Sequence, residues 1–496
     1  MEFPTSKTRP ARQWVATLAF LLAAILVIAL VSTDQQASTV MSLSFWARLG
    51  MIGFPYKMTV LVVALTIVAA GTYYFARKAP DVYALLIVVA LIGLQTNGIT
   101  IGPASIITML PFLMIPFLLA ESFRNPSFQI VLPGLMFFAI LLLLLDIPYL
   151  AATHIYDPTR FIINFISTLK AVLVAFLFVN LLRTERHLAF AIRAFMIVAF
   201  ISASIGVVQI LLYRYAGITI NFASEAAERK PTFLGFTLRA TGFTTWASWL
   251  SDFLVLALPF MLFRLFNAQS FRWRATYLFA ILVLLTAIFL TFTYAAYFAV
   301  AVMFAIFPFL YWPRRIVHYL VTILFVGGLL QVAGGVEWVY EHGLNKVLQS
   351  TGVVERRVYL QSTLNEIARD PWIGSGIYAE EEFSENFYRK RAHNTGVQAW
   401  ANLGLAGLLV FLAMMLTTLA QLWLMASASH GWYRQLFQAL GLGVIASIVE
   451  MFAEPNLTAS ILWFHLGLCQ SALLVYCTWR YPRPLASVAG APLRPA

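Results

Sequence analysis

Apolar runs of about 18 to 22 residues recur along almost the whole chain, and stretches of that length and composition are stable only in lipid or packed on one another. Of the 496 residues, 61% are hydrophobic and only 11% carry charge, a balance no water-soluble domain tolerates. The ten-residue alternation of a membrane β-barrel is absent. The chain therefore reads as an all-α polytopic membrane protein.

The runs place candidate spans at 14–32, 57–76, 82–96, 104–120, 128–147, 161–182, 189–213, 244–265, 274–290, 291–311, 316–334, 402–426, 434–452 and 459–479. That makes about fourteen helices of spanning length. Ala275–Trp312 is one apolar run, too long for a single crossing, and is divided near Phe292-Thr293. The first run, Trp14–Val31, follows Lys7, Arg9 and Arg12 and is too long for a signal-peptide core, so it reads as a retained helix. Cys469 and Cys477 fall in one helix, roughly 12 Å apart along its axis, too far for a disulfide.

Orientation follows from the short loops. With the N-terminus cytoplasmic, Arg77, Lys78, Arg124, Arg183, Arg186, Arg264, Arg272, Arg274, Arg314, Arg315, Arg434 and Arg480 all fall inside, opposed by few acids. This holds only if Ala275–Trp312 crosses twice, and it puts both termini in the cytoplasm. Two sizeable segments are then external: 214–243, and the largest loop, 335–401. No linker or low-complexity tract divides residues 1–496, so they read as a single membrane domain with that loop embedded on its outer face. No internal repeat is evident, which removes support from an inverted-repeat transporter.

The large loop holds the densest chemistry. Arg389, Lys390, Arg391 and His393 form a basic cluster on the side where the positive-inside rule disfavours one. It suits an anionic ligand such as a lipid pyrophosphate, with His393 as proton acceptor and Asn394 in support. The competing reading is a basic rim on anionic headgroups, or pairing with Glu380, Glu381, Glu382 and Glu385 just upstream. Earlier in the loop, Arg356, Leu360, Leu364 and Ile367 fall at helical spacing, giving an amphipathic helix with Arg356 turned toward the bundle and Arg357 beside it. The alternative there is a solvated face or a pair with Glu355. Arg239 enters the eighth span from outside, as a bidentate phosphate ligand or an interfacial snorkelling side chain. Lys170, Arg193 and Asp252 are charges at membrane depth, with Lys170 and Asp252 as potential partners.

The histidines show no metal-ligand spacing, there is no Asp-x-Asp, and no phosphate-cradling glycine loop occurs, so a metal site, an ATP-driven mechanism and a bound cofactor find no support. Nothing suggests nucleic-acid binding.

Three segments together resemble the superfamily of O-antigen ligases and O-antigen polymerases, glycosyltransferases of the bacterial envelope. Arg356 with Pro371-Trp372-Ile373-Gly374-Ser375-Gly376 looks like that family's Arg, helix, then Pro-x-x-Gly-x-Gly. His393-Asn394 with Gly404-Leu405-Ala406-Gly407-Leu408 looks like its His-Asn followed by Gly-Leu-x-Gly-Leu. Arg239-Ala240-Thr241-Gly242 looks like its Arg-x-x-Gly. The resemblance spans roughly residues 235–425. The chain departs from the pattern at Thr293-Tyr294-Ala295, where the family often has Ser-Arg-Gly, at Thr245-Trp246, in place of Pro-Asn, and at Asn402, in place of Glu.

The resemblance implies a GT-C-like bundle in the bacterial inner membrane with its active site facing the periplasm. It implies a glycan on undecaprenyl pyrophosphate as donor, and lipid A-core or another lipid-linked repeat unit as acceptor. Envelope polysaccharide assembly proteins would be partners. His393 would be the base. Arg239, Arg356, Arg357, Arg389 and Arg391 would hold the leaving pyrophosphate, in an inverting, metal-independent transfer. The helix count and the departures lean toward a polymerase over a ligase. A lipid-linked oligosaccharide flippase and a protein O-glycosyltransferase of the same superfamily are the alternatives.

Overall fold

The computed structural model describes residues 82–95, 100–101, 104–105, 118, 130–151, 158–218, 238–244, 246–311, 317, 321, 325, 328–329, 331, 351–369, 371–374, 393–452, 454 and 459–480, with some side chains among them left out. The described residues form a helical bundle. The helices are α1 (Val82–Gln95), α2 (Gly134–Ala151), α3 (Pro158–Leu181), α4 (Glu185–Ala216), α5 (Ala247–Asn267), α6 (Phe271–Leu290), α7 (Tyr294–Tyr311), α8 (Thr351–Arg369), α9 (Thr395–Ala428), α10 (Gly431–Met451) and α11 (Ser460–Arg480). The exception is a two-residue antiparallel pair, Thr100–Ile101 with Ala104–Ser105, so the span expected over 104–120 does not begin as helix.

Six of these helices are long and apolar enough to cross a membrane: α4, α5, α6, α7, α9 and most of α11. The chain is a multi-pass helical membrane protein. The expected spans 14–32 and 57–76 lie outside the described residues, as does most of 316–334, and the count of about fourteen is not reached among the described helices.

Helix α5 is the axis of the bundle. Every residue from Leu250 to Phe263 is buried, Asp252 and Pro259 included. It packs on α4, α6, α7 and α10, while α11 packs on α3 and α10. Gly467 lets α11 approach α3 so closely that a Cβ there would lie 2.9 Å from the Cα of Ala175, the small-residue contact typical of membrane helices. Outward faces are apolar where lipid would lie: Leu278, Phe279, Leu282 and Phe289 on α6 are all exposed.

The long run Ala275–Trp312 does break where its length requires. Thr291–Thr293 separates α6 from α7, with Phe292 in a left-handed conformation at φ 50°. The amphipathic helix of the large loop is also present as α8, lying on α9. Its inward face is rotated from the expected one. Thr363 and Ile367 are buried and Arg356 and Leu360 half-buried, whereas Leu364 is exposed. Positions 356, 360, 363 and 367 advance by four, three and four residues and stay on one stripe; 364 falls about 100° away from 363.

Candidate active site

The site end of the bundle is built by the α6–α7 turn, the start of α9 and the chain after α10. Segment Leu238–Thr244 is held there by Gln209 of α4. The Gln209 Oε1 accepts from the backbone N–H of Gly242 (2.9 Å) and Thr241 (3.2 Å), and its Nε2 donates to the Gly242 carbonyl (3.0 Å). Ala240 N–H donates to the Leu290 carbonyl at 2.9 Å, fixing the segment to the end of α6.

Those bonds carry Arg239 into the protein. Only 8% of it is exposed, so it is not an interfacial snorkelling side chain. Its Nε donates to the Thr291 carbonyl (2.6 Å) and its Nη2 to Thr293 Oγ1 (3.0 Å). Thr293 begins the triplet that departs from the family's Ser-Arg-Gly, and here its hydroxyl orients a guanidinium delivered from another segment.

Helix α9 starts at the second motif. Asn394 is its N-cap: Oδ1 accepts from Val397 N–H at 3.0 Å, and Nδ2 donates to the Phe452 carbonyl at 3.3 Å. Thr395 Oγ1 donates to the Glu454 carbonyl at 2.7 Å. Two adjacent side chains thus tie the start of α9 to the turn that follows α10. The Asn394 contribution to the candidate site is mechanical, as a cap and a tether. Asn394→Ala should cost about 1 to 2 kcal/mol, read as a lower thermal midpoint of purified protein, while Asn394→Asp, which still caps the helix but cannot donate to the Phe452 carbonyl, should recover only the cap's part of it.

The tether sets Glu454 against two of the expected residues. Its Oε1 pairs with Arg356 Nη2 at 3.2 Å, and its Oε2 faces His393 Nδ1 at 3.7 Å. The Nδ1 atom is shielded from solvent although the His393 side chain is 31% exposed, so what is open of the imidazole lies away from Nδ1. Burial pushes the Glu454 carboxyl up, but the facing His393 and the charges of Arg356 and Arg239 outweigh it and hold the carboxyl below its ordinary value.

Arg356 and His393 are therefore set against one buried carboxylate, and Arg239 lies near enough for its charge to act on it. Arg357 is exposed, one residue further round α8. Arg389 and Arg391, with Lys390 between them, lie outside the described residues, as does the Lys170 side chain on α3. Arg193 is exposed on α4. Behind the cluster, buried Asp252 of α5 lies close enough to buried Glu450 of α10 for their charges to interact, and Glu450 in turn feels Glu454. Among the described residues no group of histidine, cysteine or acidic side chains could hold a metal ion.

Sequence reasoning missed both glutamates. A signal existed for one of them. Glu450 is an ionisable residue within an apolar helix, which by itself marks a functional candidate. Glu454 lies four residues further, where Pro455 follows and the helix has just ended.

The first and second motif segments are also joined. Pro371–Gly374 docks into a break in α9 at Gly404 (φ 68°, ψ −174°). The Pro371 carbonyl accepts from Leu405 N–H (3.0 Å) and from Trp400 Nε1 (2.9 Å). This contact fixes the end of α8 on α9 and so fixes Arg356 relative to His393.

Residues 278–412 match the O-antigen ligase family, Wzy_C. The resemblance to O-antigen ligases and polymerases thus holds over a segment that contains the α6–α7 turn, Arg356, the Pro371–Gly374 turn and His393. The match points to a glycosyltransferase-like function of O-antigen ligase or polymerase type. Arg239 and Glu454 lie on either side of the matched segment and are brought to it by folding. Among curated proteins none matches the chain.

Proposed function

We propose that this protein transfers a glycan from undecaprenyl pyrophosphate to an acceptor hydroxyl at the periplasmic face of the bacterial inner membrane. The observation that carries the reading is the convergence of Arg239, Arg356 and His393 at one end of the bundle, within and beside a segment matching O-antigen ligases. The described arginines Arg264, Arg272, Arg274 and Arg434 lie at the helix ends opposite that site, which fits a cytoplasmic basic face.

In the proposed step the acceptor hydroxyl attacks the anomeric carbon of the donor sugar. The bond from that carbon to the pyrophosphate oxygen breaks with inversion. Nε2 of His393 takes the hydroxyl proton, and undecaprenyl pyrophosphate leaves with the bonding electrons. The arginines stabilise the charge that develops on the leaving oxygen, in a site where water is scarce and charge interactions are strong. Arg356, paired with Glu454 through Nη2, is placed in this reading to meet a phosphate oxygen with its guanidinium. Arg357, Arg389 and Arg391 extend the anion site in this reading.

The acceptor is a second lipid-linked repeat unit in a polymerase, or lipid A-core in a ligase. The test is the lipopolysaccharide and exopolysaccharide banding of a deletion strain complemented with the wild-type protein. If the deletion leaves core bearing a single repeat, the protein is a polymerase. If it leaves bare core and accumulates lipid-linked polymer, it is a ligase. Unchanged glycans would overturn the reading and return the flippase, or transfer to a protein acceptor, to first place.

A further inference from the structure

We infer that Glu454 is a positioning residue for His393: its carboxylate holds the imidazole with Nδ1 inward, leaving Nε2 as the atom that accepts the acceptor's proton. The inference rests on the glycosyl-transfer reading and names a residue outside the segment matched to O-antigen ligases.

Three observations carry it. First, the geometry is that of a carboxylate–histidine pair. Oε2 faces Nδ1 at 3.7 Å, and Nδ1 is shut away from water, so among the described residues Glu454 is the acceptor placed against that atom. A separation of 3.7 Å exceeds a hydrogen bond, and pairs of this kind tighten when substrate closes the site. Second, Glu454 is held rigidly. Its carbonyl accepts from Thr395 Oγ1, its N–H donates to the Glu450 carbonyl at 2.9 Å, and its Oε1 is fixed by Arg356. The residue reaches His393 from an element tethered to the start of α9, two residues from that histidine. Third, the charges around the carboxylate favour its ionised form. Arg356 and His393 face it directly and Arg239 acts from the α6–α7 turn; Glu450, itself near Asp252, lies behind the carboxylate. Glu454 is a poor base in its own right, because one oxygen is held by the Arg356 guanidinium and the other is turned to His393.

The two roles are linked. A neutral imidazole carries one N–H, and whichever nitrogen donates leaves the other as the acceptor. A carboxylate against Nδ1 selects the form in which Nε2 is free. When Nε2 takes the proton, the imidazolium that results lies beside a negative charge already in place. Glu454 itself gains no proton.

The test is a double-mutant cycle on purified protein in nanodiscs, with a polyprenyl-pyrophosphate-linked repeat unit extracted from the deletion strain as donor. Glu454→Gln in the wild type is expected to lower kcat at least tenfold with donor KM within threefold. In the His393→Gln background the same change is expected to alter kcat by less than twofold, because the residue it positions is gone. A structural role would lower activity by the same factor in both backgrounds, and that result overturns the inference. So does a Glu454→Gln enzyme with wild-type kcat, or one altered in KM alone. If Glu454→Gln does not fold, Glu454→Asp is read in the same cycle. Its carboxylate is one methylene short, so a severalfold loss in the wild type and none with His393→Gln is expected; equal losses overturn the inference. A wild-type protein inactive on every donor and acceptor tried would instead fail the glycosyl-transfer reading.

Discussion

His393→Ala is expected to lower glycan transfer by about 10²- to 10⁴-fold, the usual contribution of a positioned general base, while the protein keeps its fold. The two halves of that expectation come from different observations. The His393 side chain is partly open, touches a buried partner through one nitrogen at 3.7 Å, and precedes the cap of α9 without making it. Truncating it removes no core contact and no cap bond, so the thermal midpoint should move little. The charge left behind is not orphaned either, because Glu454 retains Arg356. The loss should appear in kcat, since the proton is transferred only in the chemical step. Turnover of the lipid-linked donor, with donor KM and thermal midpoint measured on the same preparation, checks all three. A variant with wild-type turnover removes His393 as the base. A variant with normal kcat and raised KM makes it a binding residue and leaves the reaction without a proton acceptor.

Much of this architecture could be read in advance. Apolar length alone locates α3 through α7 and α9 through α11, because a crossing helix has to satisfy its own backbone and can do so only at about twenty residues. The break at Phe292 follows from the same arithmetic. The helix α8 was visible as a spacing, but its rotation was not. Leu364 is more apolar than Thr363, yet Thr363 faces inward because Arg356 and Ile367 set the stripe. Hydrophobicity cannot rank two adjacent positions when a charged residue decides which face turns in.

The candidate site was legible only from one side. Arg239, Arg356 and His393 stand out as polar residues beside apolar helices. Glu454, the partner of Arg356 and His393, lies 98 residues from Arg356 in the chain and has no local pattern. Its position follows from the tether that Asn394 and Thr395 throw across to residues 452–454. A cap residue with a second hydrogen bond is indistinguishable, in sequence, from a cap residue without one. The Lys170 side chain lies outside the described residues, so the expected pairing with Asp252 stays an expectation, and Asp252 lies near Glu450.

Gly404→Ala is expected to be the most damaging glycine-to-alanine change among the described residues. Gly404 sits at φ 68°, ψ −174°, a region that residues with a Cβ almost never enter, and holding one there costs about 1 to 3 kcal/mol before any contact is counted. The contact is worse. A Cβ at this position would lie 2.1 Å from the Trp372 carbonyl oxygen and 2.6 Å from its carbon. These are backbone atoms, held by the bonds from Leu405 and Trp400 to Pro371, so no rotamer change relieves the clash. Either the Pro371–Gly374 turn lifts off α9 or the break in α9 closes. Both outcomes release the end of α8, and with it the register of Arg356 against Glu454 and His393. Loss of at least 3 kcal/mol, seen as a thermal midpoint lower by many degrees or as failure to purify in a single species, should accompany loss of transfer. Gly374 faces Gly404 across the same contact, at φ 81° and with a Cβ position 2.5 Å from the Gly404 nitrogen. Gly374→Ala should therefore reproduce the phenotype, and the double variant should be little worse than either, because one contact cannot be broken twice. A Gly404→Ala protein with the wild-type midpoint and activity would mean that the turn can leave α9 without moving Arg356. In that case the close spacing of Arg356, Glu454 and His393 would have to be maintained by the Asn394 and Thr395 tethers alone.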